Sequence, residues 1–373
     1  MEEEQKTNHI SENQTSQNVI QCSCCGSKLV FAPGTLSLKC ESCGTINEIT
    51  VDENAKTEAV KELDLLNDSM IDDSQTEEIH TVKCNSCGAE TTFDKNVISS
   101  KCDFCGSPLT VNQSSTVKKI KPAAMIPFQL EQHQACELYK RWLKDLWFAP
   151  SDLKNSASQT GSLSGVYIPY WTYDAKSTTN YTGERGIWYY TEERYKDSQG
   201  QEKIRQVRHT RWSPAFGKVK NAFDDILLSA SNTLPSAYLN SLQPWSLGSL
   251  VPYDEKFMSG FKAETYSIKV MDGFKTAQKI MEEEIRSTIC EDIGGDEQRI
   301  GKMDINWYDL TYKHILLPIW ISAYKYKDKS YRFVVNGQSG TVRGERPYSV
   351  IKIVMAIIAV IAVLTLLFKL LSN

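Results

Sequence analysis

The sequence predicts two small zinc ribbons, then an α+β domain with a mostly antiparallel sheet, and one C-terminal transmembrane helix. Three observations carry this expectation. A cysteine spacing occurs twice, a long central stretch alternates Tyr- and Trp-rich segments with helical periodicity, and the chain ends in an uninterrupted apolar run.

The cysteine spacing is C-x2-C-x14-C-x2-C. It appears as Cys22, Cys25, Cys40 and Cys43, and again 62 residues later as Cys84, Cys87, Cys102 and Cys105. A CxxC pair closes a tight turn, and a glycine follows each pair (Gly26, Gly44, Gly88, Gly106), where a positive φ lets backbone N–H groups face the sulfurs. Two such turns supply four thiolates to one tetrahedral ion, so these eight residues are the expected ligands of two structural Zn2+ ions. All four positions of each site are protein sulfur. A catalytic zinc keeps one position for water or substrate, so these sites read as structural.

The chain has 373 residues and 11 cysteines, of which Cys24, Cys136 and Cys290 lie outside the two sets. An odd total with the adjacent pair Cys24–Cys25 makes a poor disulfide framework and points to a reducing compartment. Cys24 is either a spare ligand or an exposed thiol, and Cys136 and Cys290 fall in helical patterns as packing residues.

Along the chain, residues 1–17 are polar and read as disordered. Residues 18–48 form the first ribbon, with Leu29, Val30, Phe31, Leu36 and Leu38 as its apolar layer. Residues 49–80 are an acidic linker, with a short amphipathic pattern through Ala59, Leu63, Leu66 and Met70. Residues 81–112 form the second ribbon, where Phe93 aligns with Phe31, and residues 113–124 are a basic linker with Lys118, Lys119 and Lys121. The body is 125–348. Its helical stretches are Leu130–Leu146 and 274–290, the latter with Asp272 as expected N-cap. Its strands include Gly165–Tyr173, a hairpin from Ile187 to Trp212 around Asp197–Gly200, and Ile315–Tyr326. Val166-Tyr-Ile-Pro-Tyr-Trp171 is similar to Ile315-Leu-Leu-Pro-Ile-Trp320, which suggests two related sheet units. Pro169 and Pro318 cannot donate to a ladder and are expected at strand starts or edges.

Residues 350–371 are the expected membrane helix. Ile353 to Phe368 contains only Thr365 as a polar residue, and Lys352 and Lys369 bracket it. A span of about 20 residues is roughly 30 Å of helix, the thickness of a bilayer core. Arg343, Arg346 and Lys352 precede it and Lys369 alone follows, which places the N-terminal bulk in the cytoplasm of a single-pass cell-membrane protein. The free thiols favour the same side.

Other chemistry is weakly represented. There is no G-x4-G-K-[ST] and no G-x-G-x-x-G opening a helix, and the five histidines lack a metalloprotease or hydrolase context. No enzyme motif stands out. Nucleic-acid affinity comes from Lys and Arg neutralising phosphates. Residues 18–48 and 81–112 each carry zero net charge, so nucleic acid is a weak partner for the ribbons. The most basic stretch is Lys203, Arg205, Arg208, Arg211, Lys218 and Lys220.

Taken together, both cysteine sets, Ile126-Pro-Phe128, Gly165-Val-Tyr-Ile-Pro-Tyr-Trp-Thr172, Phe223-Asp-Asp-Ile226, Asp292-Ile-Gly-Gly-Asp296, Leu316-Leu-Pro-Ile-Trp320 and Val335-Asn-Gly337 resemble a bacterial family of membrane-anchored double-zinc-ribbon proteins. Its members are labelled TFIIB-type zinc-ribbon or "primosomal protein N′-like". The resemblance spans most of residues 22–346. It implies a cytoplasmic ribbon head on a tethered body, and a phage-shock-protein-A-like partner in an envelope-stress complex. The helicase sense of the label lacks its ATP motif here. The expected function is thus a non-enzymatic, tail-anchored adaptor that recruits a cytoplasmic protein. The alternative is a membrane-tethered nucleic-acid-binding protein of replication or transcription.

Overall fold

The computed structural model describes residues 20–50, 63–64, 76–92, 99–110, 114–150, 153, 163–196, 198, 200–327 and 329–371. The disorder expected for 1–17, Phe93, and the amphipathic pattern around Leu63 lie outside these residues, apart from Leu63–Asp64.

The first cysteine set sits on a three-stranded antiparallel meander, β1 (Leu29–Ala32), β2 (Ser37–Cys40) and β3 (Ile46–Glu48). Leu29 lies opposite Cys40 and Phe31 opposite Leu38, so strand alternation puts these three apolar residues and one cysteine on a single face, while Val30 points to the other face and Leu36 is exposed. Next come β4 (Leu63–Asp64), β5 (Thr76–Lys83), β6 (Glu90–Thr92), β7 (Ser99–Lys101), β8 (Pro108–Thr110) and β9 (Ser114–Ile120). Residues 63–64 are therefore extended, and they pair in the main sheet.

Parts of the two charged segments expected as linkers are strands. The end of the acidic segment 49–80 and the basic segment 113–124 form one ladder, β5 against β9, with Glu77 opposite Lys119 and Glu78 opposite Lys118. Backbone pairing joins the two strands, while the Lys119 ammonium turns to the body and donates to Tyr266 O (3.0 Å); β5 also pairs with β6.

The body begins with β10 (Ala124–Met125), helix α1 (Gln132–Asp145), and the long strands β11 (Ser164–Lys196) and β12 (Glu202–Ser229). It continues through α2 (Ser236–Ser241), β13 (Val251–Pro252), α3 (Glu255–Met258), β14 (Lys262–Ala263) and α4 (Val270–Ile293). It ends with β15 (Glu297–Tyr326), β16 (Lys329–Asn336), β17 (Val342–Gly344) and α5 (Val350–Leu371). Among the described residues nine strands make one sheet around the path β12-β11-β15-β10-β13. The sheet is mixed: β10 runs parallel to β15 and β14 parallel to β11, while the long ladders are antiparallel.

The two Pro-containing segments pair with each other. Pro169 faces Leu316 and Pro318 faces Tyr167. The two short parallel strands pair at corresponding positions of these segments, Lys262 with Val166 and Ala124 with Ile315. Both prolines lie inside strands, not at starts or edges. The Pro169 carbonyl accepts from Ala230 N (2.9 Å) and the Pro318 carbonyl from Gly337 N (2.8 Å), each on the side away from the β11–β15 ladder. A residue's N and O point to the same side of a strand, so the missing donors cost that ladder nothing.

Three apolar clusters follow. α1 and the first ribbon cover Tyr167, Trp320, Phe333 and Val335. The second ribbon and the 234–250 segment cover Val166, Ile168, Ile315 and Leu317 on the opposite face. α4 covers Trp171, Tyr173, Phe223 and Tyr312 with Phe274, Ala277, Met281, Ile285 and Ile289. Of the face expected for α4 (Phe274, Ala277, Ile280, Met281, Ile285 and Ile289) all but the exposed Ile280 are buried; the helix is longer, and its N-cap is Lys269 rather than Asp272. Asp272 sits in the first turn, where its charge favours the helix dipole.

Candidate metal centres

Four turns of one geometry carry the eight cysteines. In each, the first cysteine carbonyl accepts the glycine N–H: Gly26 to Cys22, Gly44 to Cys40, Gly88 to Cys84 and Gly106 to Cys102, at 2.8–2.9 Å. All four glycines have φ between 72° and 78°, where a side chain would be strained. The backbone N–H of the first cysteine is satisfied two residues past the second, as in Cys22 N to Ser27 O at 2.7 Å and Cys102 N to Ser107 O at 2.8 Å.

The sulfurs converge in two groups. Cys22 and Cys43 are 3.6 Å apart and Cys25 and Cys40 3.5 Å; Cys84–Cys105 and Cys87–Cys102 are both 3.6 Å. Within each group all four sulfurs lie within 4.8 Å of one another. A disulfide needs about 2.05 Å, whereas an ion with four M–S bonds of about 2.3 Å sets S···S at roughly 3.8 Å. The residues therefore fit a tetrahedral metal and not disulfides, and each group could hold one ion. In each group the first cysteine of each pair is buried, while the second is more open.

The thiols are electrostatically unequal. The Thr45 hydroxyl, 3.0 Å from Cys43 Sγ, pushes that thiol down to about 6. Its hydrogen bond with Cys102 pushes Cys87 down to about 5, and the same contact together with burial pushes Cys102 up. Thiolates are the metal-binding form, so binding an ion displaces whatever thiol protons remain.

Neither cysteine-bearing segment is detached from the body. Phe31 packs edge-on against Phe257 (5.3 Å) and Phe261 (6.3 Å) of the body. Its N–H donates to Ser259 O (2.9 Å), and Ser259 Oγ donates to Leu29 O (2.6 Å). The second ribbon is held by Lys262 Nζ on Asp103 Oδ2 (2.9 Å) and by Thr265 N on Glu90 O (2.9 Å). Phe104, inside its second CxxC, is fully buried. Cys24 is exposed, Cys136 and Cys290 are half-buried on α1 and α4, and none of the three joins a metal group.

Sequence reading missed one cluster. Asp174, Asp224 and Asp225 converge where β-bulges in β11, β12 and β15 coincide, with Asp225 and Asp309 at φ 52°. No spacing signals it, since Asp174 and Asp225 meet only through strand pairing. Lys313 Nζ lies 3.1 Å from Asp225 and 3.7 Å from Asp174, so a lysine already supplies the cation. His314, next in sequence, is buried with Nδ1 2.9 Å from Ile120 O. Burial pushes its pKa down to about 4.

Lys203, Arg205, Arg208 and Arg211 of the basic stretch lie on an arm, while Lys218 and Lys220 lie where β15 still pairs with β11. β15 leaves the sheet at Gly186–Glu297, and β11 and β12 continue alone to Lys196–Glu202. This two-stranded hairpin is about 30 Å long at about 3.3 Å per residue. Register places Lys203, Arg205 and Arg211 on one face and Arg208 on the other. Arg208 stacks over Trp188 at 4.2 Å and Arg211 over Tyr189 at 5.3 Å, while Tyr190 remains exposed.

At the far end α5 is apolar, mostly exposed among its described residues, and long enough to cross a membrane. The body grips its first turn: Ser349 N donates to Phe148 O (2.7 Å) and Lys352 Nζ to Ala149 O (2.7 Å).

Similarity to known proteins is narrow. No protein-family model matches the chain, and no solved structure matches it. The chain is 25% identical over 335 residues to the uncharacterized protein YdjG of Bacillus subtilis (strain 168), covering 89% of this chain and 91% of that protein.

Proposed function

We propose that this protein is a non-enzymatic scaffold, tethered to the cell membrane by α5 with its bulk in the cytoplasm. Two Zn2+ ions fix the ribbons against the body, and the hairpin arm is offered to a cytoplasmic protein. Zinc is the ion proposed because four thiolates in a tetrahedron suit it, iron being the other metal that such a donor set accepts.

The arm is the observation that carries this reading. A two-stranded hairpin is marginal by itself, yet this one projects Trp, Tyr and Arg, the residue types that dominate interface energetics. The ribbons are poorer candidates for the docking surface, because Phe31 and Phe104 are spent on the body. Recovery of partners from membranes by the intact chain and by a Tyr190→Ser/Arg208→Ser variant tests the idea. Loss of specific partners with the variant is expected, including any phage-shock-protein-A-like one. An unchanged set would contradict it.

One observation favours a second reading. Lys203, Arg205 and Arg211 share a face with Tyr189 and Tyr195, a basic and aromatic pattern suited to single-stranded nucleic acid. That reading requires salt-sensitive binding of an oligonucleotide by the detergent-solubilised chain, abolished by Arg211→Ala.

A further inference from the structure

α5 does not leave the body as a bare stalk. The 146–150 turn after α1 lies beside its first turns, held by the Ser349–Phe148 and Lys352–Ala149 hydrogen bonds. Between that turn and the helix runs a cleft of about 460 Å3, walled by Phe148, Tyr348, Ile353, Ile357, Val360 and Ile361. Its size is that of a ligand pocket, about 300–1,000 Å3, but its walls offer almost nothing polar to orient a soluble ligand. The cleft is continuous with the exposed apolar surface of α5. Next to it Trp147 is 76% exposed and Tyr348 58% exposed. An exposed Trp followed by Phe, on a turn fixed by its backbone, is costly in water.

Placed at a bilayer surface, the same features become consistent. Trp and Tyr favour the headgroup level, where an apolar ring and a polar tip are both satisfied. The Lys352 ammonium is tied to the Ala149 carbonyl, which fixes the level of this turn relative to the helix start. Arg346 stacks over Tyr348 at 5.3 Å, next to the cleft, and its guanidinium is a group that can pair with a lipid phosphate.

We infer that the cleft between the 146–150 turn and α5 is a phospholipid site, in which an acyl chain of the cytoplasmic leaflet lies against Phe148 and the helix while Trp147 enters the interface. The body would then be seated on the membrane rather than hung from it. This rests on α5 spanning the bilayer, and the test separates the two.

The full chain is reconstituted in phosphatidylcholine/phosphatidylglycerol vesicles with phosphatidylcholine brominated either near the headgroup or near the chain terminus. The emission difference between wild type and Trp147→Phe isolates Trp147. Expected is quenching at least about twofold stronger from the near-headgroup bromines, and a fall of that quenching in Phe148→Ser, which opens the turn without touching α5. Protein that survives alkaline carbonate extraction while Trp147 stays unquenched by either lipid would overturn the lipid site alone. Protein stripped by carbonate would overturn the spanning helix and the lipid site with it.

Discussion

At the residue scale the chemistry is concentrated in eight sulfurs, and a small number of buried polar groups set the rest. Cys84→Ser removes one ligand of a closed site. The expected outcome is a fall from two bound ions per chain to one, read by elemental analysis of the purified protein, with the first site retained. His314 makes a pH prediction. Burial, aided by Lys119 nearby and opposed by the Ile120 and Lys121 carbonyls, lowers its pKa from 6.5 to about 4. The native state therefore excludes a proton that the unfolded chain accepts. Its contribution to stability is intact above about pH 6.5, is lost as pH falls towards about 4, and amounts to roughly 3 kcal/mol in all. Denaturation midpoints between pH 7 and 4 should fall less steeply for His314→Gln than for wild type. Equal slopes would show that His314 is not held neutral.

At the element scale, α4 illustrates how periodicity translates into packing. Phe274, Ala277, Met281, Ile285 and Ile289 recur at helical spacing, and all are buried against β11, β12 and β15. Met281 is fully buried, so Met281→Ala should cost about 2–5 kcal/mol in chemical denaturation, as other large-to-small core changes do. A cost below about 1 kcal/mol would mean that α4 is loosely seated. Gly273 is needed for close approach: a Cβ there would stand 2.2 Å from the Tyr173 hydroxyl, which donates to Val270 O at 2.7 Å. The helix and hairpin periods were legible because they are local. What was hidden was long-range pairing. Nothing in Glu77–Glu78 or Lys118–Lys119 alone says that they face each other, so two strands read as charged linkers. Likewise Pro169 argued for an edge until the strand's orientation turned its nitrogen away from the ladder.

At the scale of the whole molecule, the cysteine spacing announced both metal groups, and the terminal run announced an apolar helix. The relation of the ribbons to the body was not legible. Phe31 reads as a ribbon core residue in any frame, and its contacts with Phe257 and Phe261 join residues more than 200 apart. If the two groups hold ions, metal binding and body folding are expected to be coupled. Ions that bind only the folded state stabilise whatever is docked on them. The two cysteine-bearing segments belong to different apolar clusters on opposite faces of the sheet, so chelation is predicted to loosen both faces.

The most direct test is hydrogen exchange on the full chain in membrane mimetic, metal-loaded and after exhaustive chelation. Coupling predicts that chelation raises exchange not only in residues 20–50 and 76–110 but also at Phe257–Thr265, where both ribbons touch the body. Exchange that rises in the ribbons while Phe257–Thr265 keeps its protection would contradict the account, and would make the ribbons independent heads after all.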